Sequence, residues 1–393
     1  MLIEIISFIF LGTLLGTISG ILPGIHSNLL AAGILYLTNY IKINPLYALT
    51  FIISIGITHT FVDFIPSVFL SCPSQEKSLL PGHELLNQGR GNQAVFLSSF
   101  GSLLGIFLIT ILSPILIYTF PKINLLLKNK IEYLLILILF FSIFKEKQKL
   151  KTILVILITG TLGTLVLKLN IKDPLLPLLT GLFATPLIIE SIKNKIEIPK
   201  QDEEIEMPKE IKKSILLSTF SSLICGFLPG VGISQSATIA TSFSKTKREG
   251  FIFILGTINT MILILSFIVL YTISKTRTGI ASSVKDLFPS ISIKILIFIL
   301  IISIFSGIIS FFITIFLSNK FSKIITKINY QKISIFILIF VFLLNLIIVK
   351  FKGIIILISA TIIGLYSNNL GIKKTNMMSC ILIPTIIFYL FNS

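Results

Sequence analysis

Long apolar runs separated by short polar punctuation fill this chain from end to end. They fall at about 3–19, 29–41, 46–71, 95–119, 131–144, 152–168, 175–190, 214–228, 233–244, 250–273, 291–317, 333–350, 354–370 and 377–392. Helix gains about 1.5 Å per residue, so roughly 20 apolar residues cross a hydrocarbon core of about 30 Å. Ile291 to Leu317 and Phe336 to Val349 approach or pass that length, whereas 29–41, 131–144 and 233–244 fall short of it. The pattern predicts an all-α polytopic membrane protein with roughly 10–13 membrane segments. Composition agrees: 54% of residues are hydrophobic, 12% are charged and the mean hydropathy is +1.00. A soluble fold of this length cannot hide so much apolar surface. The apolar N-terminal stretch has no basic region before it, and it reads as the first membrane segment rather than a cleaved signal.

Two short runs stand out because each follows the same interruption. "GILPGIHSN" spans Gly20 to Asn28, and "GFLPGVGISQS" spans Gly226 to Ser236, an offset of 206 in a chain of 393. Proline removes a backbone donor and disfavours helix before it, while glycine permits positive φ, so Pro23-Gly24 and Pro229-Gly230 are helix breakers. The residues behind each break are polar: His26, Ser27 and Asn28 in one copy, Ser234, Gln235 and Ser236 after Gly232 in the other. Non-helical backbone at membrane depth is tolerated only where protein or a water-filled cavity satisfies it. Discontinuous helices at matching positions of two repeats are the transporter solution, with half-helix N-termini turned toward an anion. The plainer alternative is a pair of packing kinks, since Gly and Pro are common in membrane helices.

The longest polar stretch, 191–213, carries two prolines and mixed charge. It divides the chain into a first membrane half (1–190), a charged linker (191–213) and a second membrane half (214–393). The 33 basic and 16 acidic residues leave a net charge of +17, but the lysines sit in short connectors between apolar runs. Topology anchoring and contact with an anionic lipid bilayer account for them, and nucleic acid is not an expected partner. Lys145–Lys151 and the linker are separated by two candidate spans, so both fall on one side, which the positive-inside rule makes cytoplasmic. Placing the basic cluster 245–248 on that side too makes 214–244 a re-entrant hairpin with Pro-Gly at its tip. The charge pattern leaves open whether the halves are parallel or inverted.

At this point the chain resembles the large membrane subunit of the tripartite tricarboxylate transporter family, in its archaeal-type branch. The resemblance rests on "GILPGIHSNLLAAG" (20–33), "HTFVDFIPSVFLSCPSQEKSLLPGHELLNQGRGNQAV" (59–95), "LLTGLFATPLII" (178–189), "GFLPGVGISQSATIA" (226–240) and "GTINTMILILSFIVLYTISKTRTGIA" (256–281). It implies a secondary active transporter of carboxylates with a coupling cation, Na⁺ or H⁺, and no other cofactor. It further implies a small membrane subunit and an extracytoplasmic binding protein as partners. The first motif reads Pro-Gly-Ile-His where tricarboxylate members have Pro-Gly-Leu-Gly, so the substrate stays at the level of a small organic anion.

Within segment 46–71, Gly56, His59, Asp63 and Ser67 share one helix face. An ionisable residue inside a membrane is a candidate functional group by default. Asp63 is expected to bind the coupling ion, with His59 one turn away as its partner. Arg90, in the polar stretch 72–93, offers a fork suited to carboxylates, although a lone arginine at a membrane boundary also reads as an anchor. Asn259 is an amide at membrane depth that either bonds between helices or reaches the substrate. Arg277 and Lys285 read as interfacial. Cys72, Cys225 and Cys380 have no metal-ligand spacing. With three histidines in all and no His-Glu-x-x-His motif, an intramembrane protease is not expected. An anion channel or a non-transporting scaffold remains the alternative to a carrier.

Overall fold

The computed structural model describes residues 1–393 except 39–42, 71, 73–79, 128–129, 194–197, 203, 209, 245, 328 and 393. The middle of the polar stretch 72–93, parts of the linker and Lys245 of the basic cluster therefore lie outside the described residues. Among the described residues the chain is helical without strands. The first half holds α1 (Leu2–Ile21), α2 (Ser27–Thr38), α3 (Pro45–Val62), α4 (Phe64–Phe69), α5 (Pro81–Asn87), α6 (Gly91–Leu127), α7 (Ile131–Phe144), α8 (Lys149–Lys168), α9 (Leu175–Leu179) and α10 (Thr185–Lys193), with a π-helical turn at Thr180–Ala184 joining the last two. The second holds α11 (Ile211–Phe227), α12 (Ile233–Phe243), α13 (Arg248–Ile273), α14 (Gly279–Leu287), α15 (Ile293–Ile325), α16 (Tyr330–Asn369) and α17 (Ser379–Asn392). Nine stretches of these described residues are long and apolar enough to cross a membrane.

Both Pro-Gly breaks turn the chain back on itself. Glycines every fourth residue of α1 let it lie against α3: Gly12 beside Ser54, Gly16 beside Thr58 and Gly20 beside Val62. The numbers rise together, so α1 and α3 run parallel and α2 must return between them. Phe8 stacking on Tyr47 confirms that α3 starts level with the beginning of α1. The second half repeats this, with Gly250 beside Ser214 and Gly226 beside Leu265. There α11 and α12 lie side by side, and Ser221 Oγ donates to the carbonyl of Ser236 at 2.5 Å. The runs 29–41 and 233–244 are thus returning limbs of re-entrant hairpins, which is why they need not reach spanning length.

The halves are inverted. Between α3 and α13 the numbers run in opposition: Gly56 beside Leu263, Thr60 bonded to Thr260 at 3.1 Å, Asp63 to Asn259 at 3.4 Å. Equivalent helices that cross antiparallel require that one half enter the membrane from the opposite side to the other. Each half also lends its long helix to the other. α6 runs parallel to α13, through Ser102 to Gly256 O at 3.0 Å and Arg90 to Glu249 at 3.2 Å. α15 runs parallel to α3, through Ser306 to Ser54 at 2.9 Å and Ser310 to Thr58 at 2.8 Å. Lipid tails supply no hydrophobic drive between helices, so small residues and interhelical hydroxyl bonds, each about 0.6 kcal/mol, hold this centre. The spans containing α13 and α3 are 89% and 78% buried, against 28% for α16, which makes them the axis of the molecule and α16 a lipid-facing flank.

α16 is itself folded. A straight helix would place Ser334 about 50 Å from Asn368. Yet Ser334 accepts from Ser191 and Asn368 donates to Glu190, adjacent residues of α10, both at 2.9 Å. The turn falls at Lys350, whose φ of 63° is non-helical, and Gly353 packs against Asn345 O beyond it. The two limbs match the sequence runs 333–350 and 354–370. Together with α7–α10 and α17 they form a second group of helices beside the central one.

Candidate functional site

Each re-entrant tip rests on the second group of helices. A Cβ placed on Gly24 would meet Leu344 and Val341 of α16, and one placed on Gly230 would meet Thr385 of α17 at 2.7 Å. Gly24 and Gly230 hold φ of 90° and 79°, a left-handed conformation that other residues adopt at a cost of about 1–2 kcal/mol. The two turns therefore have the same backbone form, which explains the shared Pro-Gly letters. Their polar groups differ. At the second tip Gln235 Oε1 accepts from Gly232 N–H at 3.0 Å and Ser236 Oγ donates to Gly232 O at 3.1 Å, so both side chains are occupied in starting α12. Ser234 is exposed. At the first tip His26 and Asn28 are exposed and Ser27 is buried; Asn28 Oδ1 accepts from Ile280 N–H at 3.2 Å.

Arg277, read as interfacial, is committed to the protein's own backbone. Its guanidinium reaches into the second break, where Nη1 donates to Leu228 O and Nη2 donates to Val231 O at 2.8 Å. These carbonyls flank Pro229 and Gly230, where the break interrupts the helical ladder, and Arg277 supplies their donors. The segment Arg277–Ile280 thus touches both breaks, holding the second with Arg277 and the first through Gly279 and Ile280 against Asn28. Sequence reasoning missed this because "SKTRTG" follows a long apolar run, the usual place for an anchoring cation. No local signal distinguishes an arginine that faces lipid headgroups from one that folds back.

Beside Arg277 lies a cavity of about 730 Å³, floored by the second break from Gly226 to Ile233 and walled by Ile262, Val269, Met378 and Tyr389. Lys275 and Lys285 stand at its rim, both exposed, with Lys285 donating to Ser274 O at 3.1 Å. Among the described residues none of these three cations has a carboxylate partner. The cavity reaches the face where α6 and α13 end, opposite the one carrying 145–148, the linker and 246–248. A mixed apolar and cationic chamber of this size suits a small organic anion.

The predicted pairing of His59 with Asp63 does not form. His59 Nδ1 is bonded to Ser19 Oγ of α1 at 3.0 Å, and its ring lies 6.4 Å from that of His26. Asp63 sits where α3 gives way to α4, and its Oδ2 faces Asn259 Nδ2 instead. The reason is the turn at Asp63, which rotates its side chain toward α13 while His59 keeps the α1 face. Asn259 thus bonds between helices, donating also to Thr60 O at 3.3 Å. Arg90 is remote from the cavity. It pairs with Glu249 at 3.2 Å and Glu206 at 3.6 Å and bonds Gln93 at 2.7 Å, tying the linker to α6 and α13.

An inverted repeat of membrane helices, with a re-entrant Pro-Gly hairpin in each half and a cationic cavity on one of them, defines a multi-pass membrane protein of the permease kind. The chain belongs to the tripartite tricarboxylate transporter TctA family, whose sequence profile matches residues 6–379. It is also similar to an uncharacterized protein of Methanocaldococcus jannaschii, 30% identical over 400 residues and covering 98% of each chain. No solved structure matches it.

Proposed function

We propose that this chain is the permease of a secondary active carrier for a small organic anion, of the carboxylate class, working in the cell membrane. The observation that carries the reading is Arg277, a guanidinium without a carboxylate partner among the described residues, held at a helix break on the floor of a cavity. Arginine has five N–H donors, and two of them serve Leu228 O and Val231 O, so three remain for an anion entering the cavity. The oriented amides of Gly230 to Ser234 and the positive end of α12 add to the attraction. Taking the face with the basic connectors as cytoplasmic, the cavity opens outward. Both tips lie in the seam between the two groups of helices, so sliding one group against the other exposes the site alternately, driven by Na⁺ or H⁺. Family membership supports a small membrane subunit and an extracytoplasmic binding protein as partners, the latter docking at the open face.

Reconstitution in liposomes with labelled mono-, di- and tricarboxylates, under separate Na⁺ and pH gradients, tests the reading. Saturable, gradient-driven uptake that competes among carboxylates is expected. Large unitary currents, or no carboxylate movement with any added subunit, overturn it.

A further inference from the structure

We infer that Asp63 binds the coupling ion and that this ion is a proton. The inference rests on the carrier reading and goes beyond it by naming the ion and the atom.

Asp63 lies within the Pro45–Phe69 span and faces Asn259 near the middle of the 26-residue α13. Its Oδ1 is buried and has no hydrogen-bond partner, and the carboxylate otherwise meets only Asn259 Nδ2, at 3.4 Å from Oδ2, and the backbone N–H of Phe64. An ionised carboxylate at that depth with so little compensation is expensive. Among the described residues no lysine or arginine is bonded to it: α2 has no charged side chain, and α14 has Lys285 and Asp286 only in its last turn. α1 carries only Glu4, at its start. α5 carries His83 and Glu84, and Glu84 is paired with Arg248. α6 has Lys122 near its far end, α13 has Arg248 and Glu249 in its first turn, and α15 has Lys294, Lys320 and Lys323 toward its ends. The titratable groups on its own side of the first hairpin are His59, committed to Ser19, and His26 beyond it.

The ligand chemistry favours a proton over a metal cation. A hard cation takes about six oxygen ligands, including carbonyls and carboxylates. Here the nearby oxygens already accept hydrogen bonds: Thr60 O from Asn259, and Asp63 O from Ser67 Oγ at 2.5 Å. Asn259 turns an N–H toward the carboxylate, which opposes a metal ion at the same place. What remains free is Oδ1, a single acceptor atom that a proton satisfies. No group of three or more His, Cys, Asp or Glu able to hold a metal is found among the described residues.

The position also connects to the substrate machinery. Gly20, three residues before Pro23, packs on Val62, and a Cβ there would lie 3.2 Å from the Asp63 backbone nitrogen. Loading Asp63 removes a buried charge directly beneath the first re-entrant tip. Proton and anion offset each other in charge when both are bound, and symport follows when this doubly loaded form and the empty form cross while the singly loaded forms do not. The inverted repeat makes this one-sided. The offset of 206 that aligns Gly20 with Gly226 places Val269 at the position equivalent to Asp63, so the second half carries no acid there.

Two measurements on the purified, reconstituted chain test this. In infrared difference spectra across a pH titration, the wild type is expected to show a protonated-carboxyl band that Asp63→Asn lacks; absence of that difference overturns the inference whatever the transport result. In liposomes with labelled citrate and succinate as probes, the wild type is expected to accumulate probe under a pH gradient at zero Na⁺. Asp63→Asn should retain probe exchange but lose accumulation, and Asp63→Glu should restore it. Accumulation by Asp63→Asn, or wild-type accumulation that follows Na⁺ at clamped pH, overturns it. If the wild type moves neither probe, the carrier reading fails for carboxylates and the spectra still decide whether Asp63 holds a proton.

Discussion

The two Pro-Gly breaks share a backbone and differ in everything attached to it. Both turn through a left-handed glycine after proline, and both rest against the second group of helices. The second tip carries Arg277 on its carbonyls and floors the cavity. The first has no cation bonded to it among the described contacts, packs against the aliphatic Leu344 and Val341, and has His26 and the buried Asp63 beneath it. Duplicated backbone gives two places where helix ends face the seam, and the side chains then divide the work. In the proposed reading the second break takes the anion and the first takes the proton.

The largest expected effect breaks the symmetry of the tips. Gly230→Val adds a left-handed strain of about 1–2 kcal/mol to a contact of 2.7 Å with Thr385, and should abolish uptake while leaving membrane insertion intact. Gly24→Val carries the same strain, but its first contact is the end of a leucine at 3.3 Å, so residual uptake should survive. Initial rates normalised to protein in the membrane check this; equal loss in both would remove the distinction. Next comes Arg277→Gln. Losing hydrogen bonds to a charged donor, each about 1.5–3 kcal/mol, should weaken apparent anion affinity at least about tenfold. A kinetic series showing unchanged KM would return Arg277 to a purely structural role. Lys275→Gln and Lys285→Gln are expected to act mainly on capture, with a smaller effect that shrinks as ionic strength rises. The smallest effect is Arg90→Gln, which removes pairs from the opposite face and should lower thermal stability by about 1 kcal/mol with KM unchanged.

Much of the fold can be read from hydropathy. The apolar runs correspond to helices, and the repeated "LPG" marks both hairpin tips. Even the turn at Lys350 falls at the last residue of run 333–350, before run 354–370 begins. The candidate site was half legible. Pro23, Gly24, Pro229 and Gly230 announce themselves because breaking a helix needs those residue types. Gln235 and Ser236, read as substrate donors, also bond back to Gly232, which local spacing alone would have allowed. Asp63 was visible as an isolated acid in an apolar run, but its partner was not, since Asn259 lies 196 residues away.

What the sequence by itself determined is the apolar solvent this chain lives in, its all-helical class, and where two of its helical ladders must break. These follow from residue chemistry within one or two turns. Only the tertiary structure decided that the halves are inverted, that Arg277 folds back onto the second break, and that Asp63 faces α13 rather than His59. Hydropathy is blind to the direction in which a helix runs, because an apolar segment is as well solvated by lipid pointing up as pointing down. Direction emerges only when Thr60 meets Thr260, and contacts across that crossing decide which buried groups find partners.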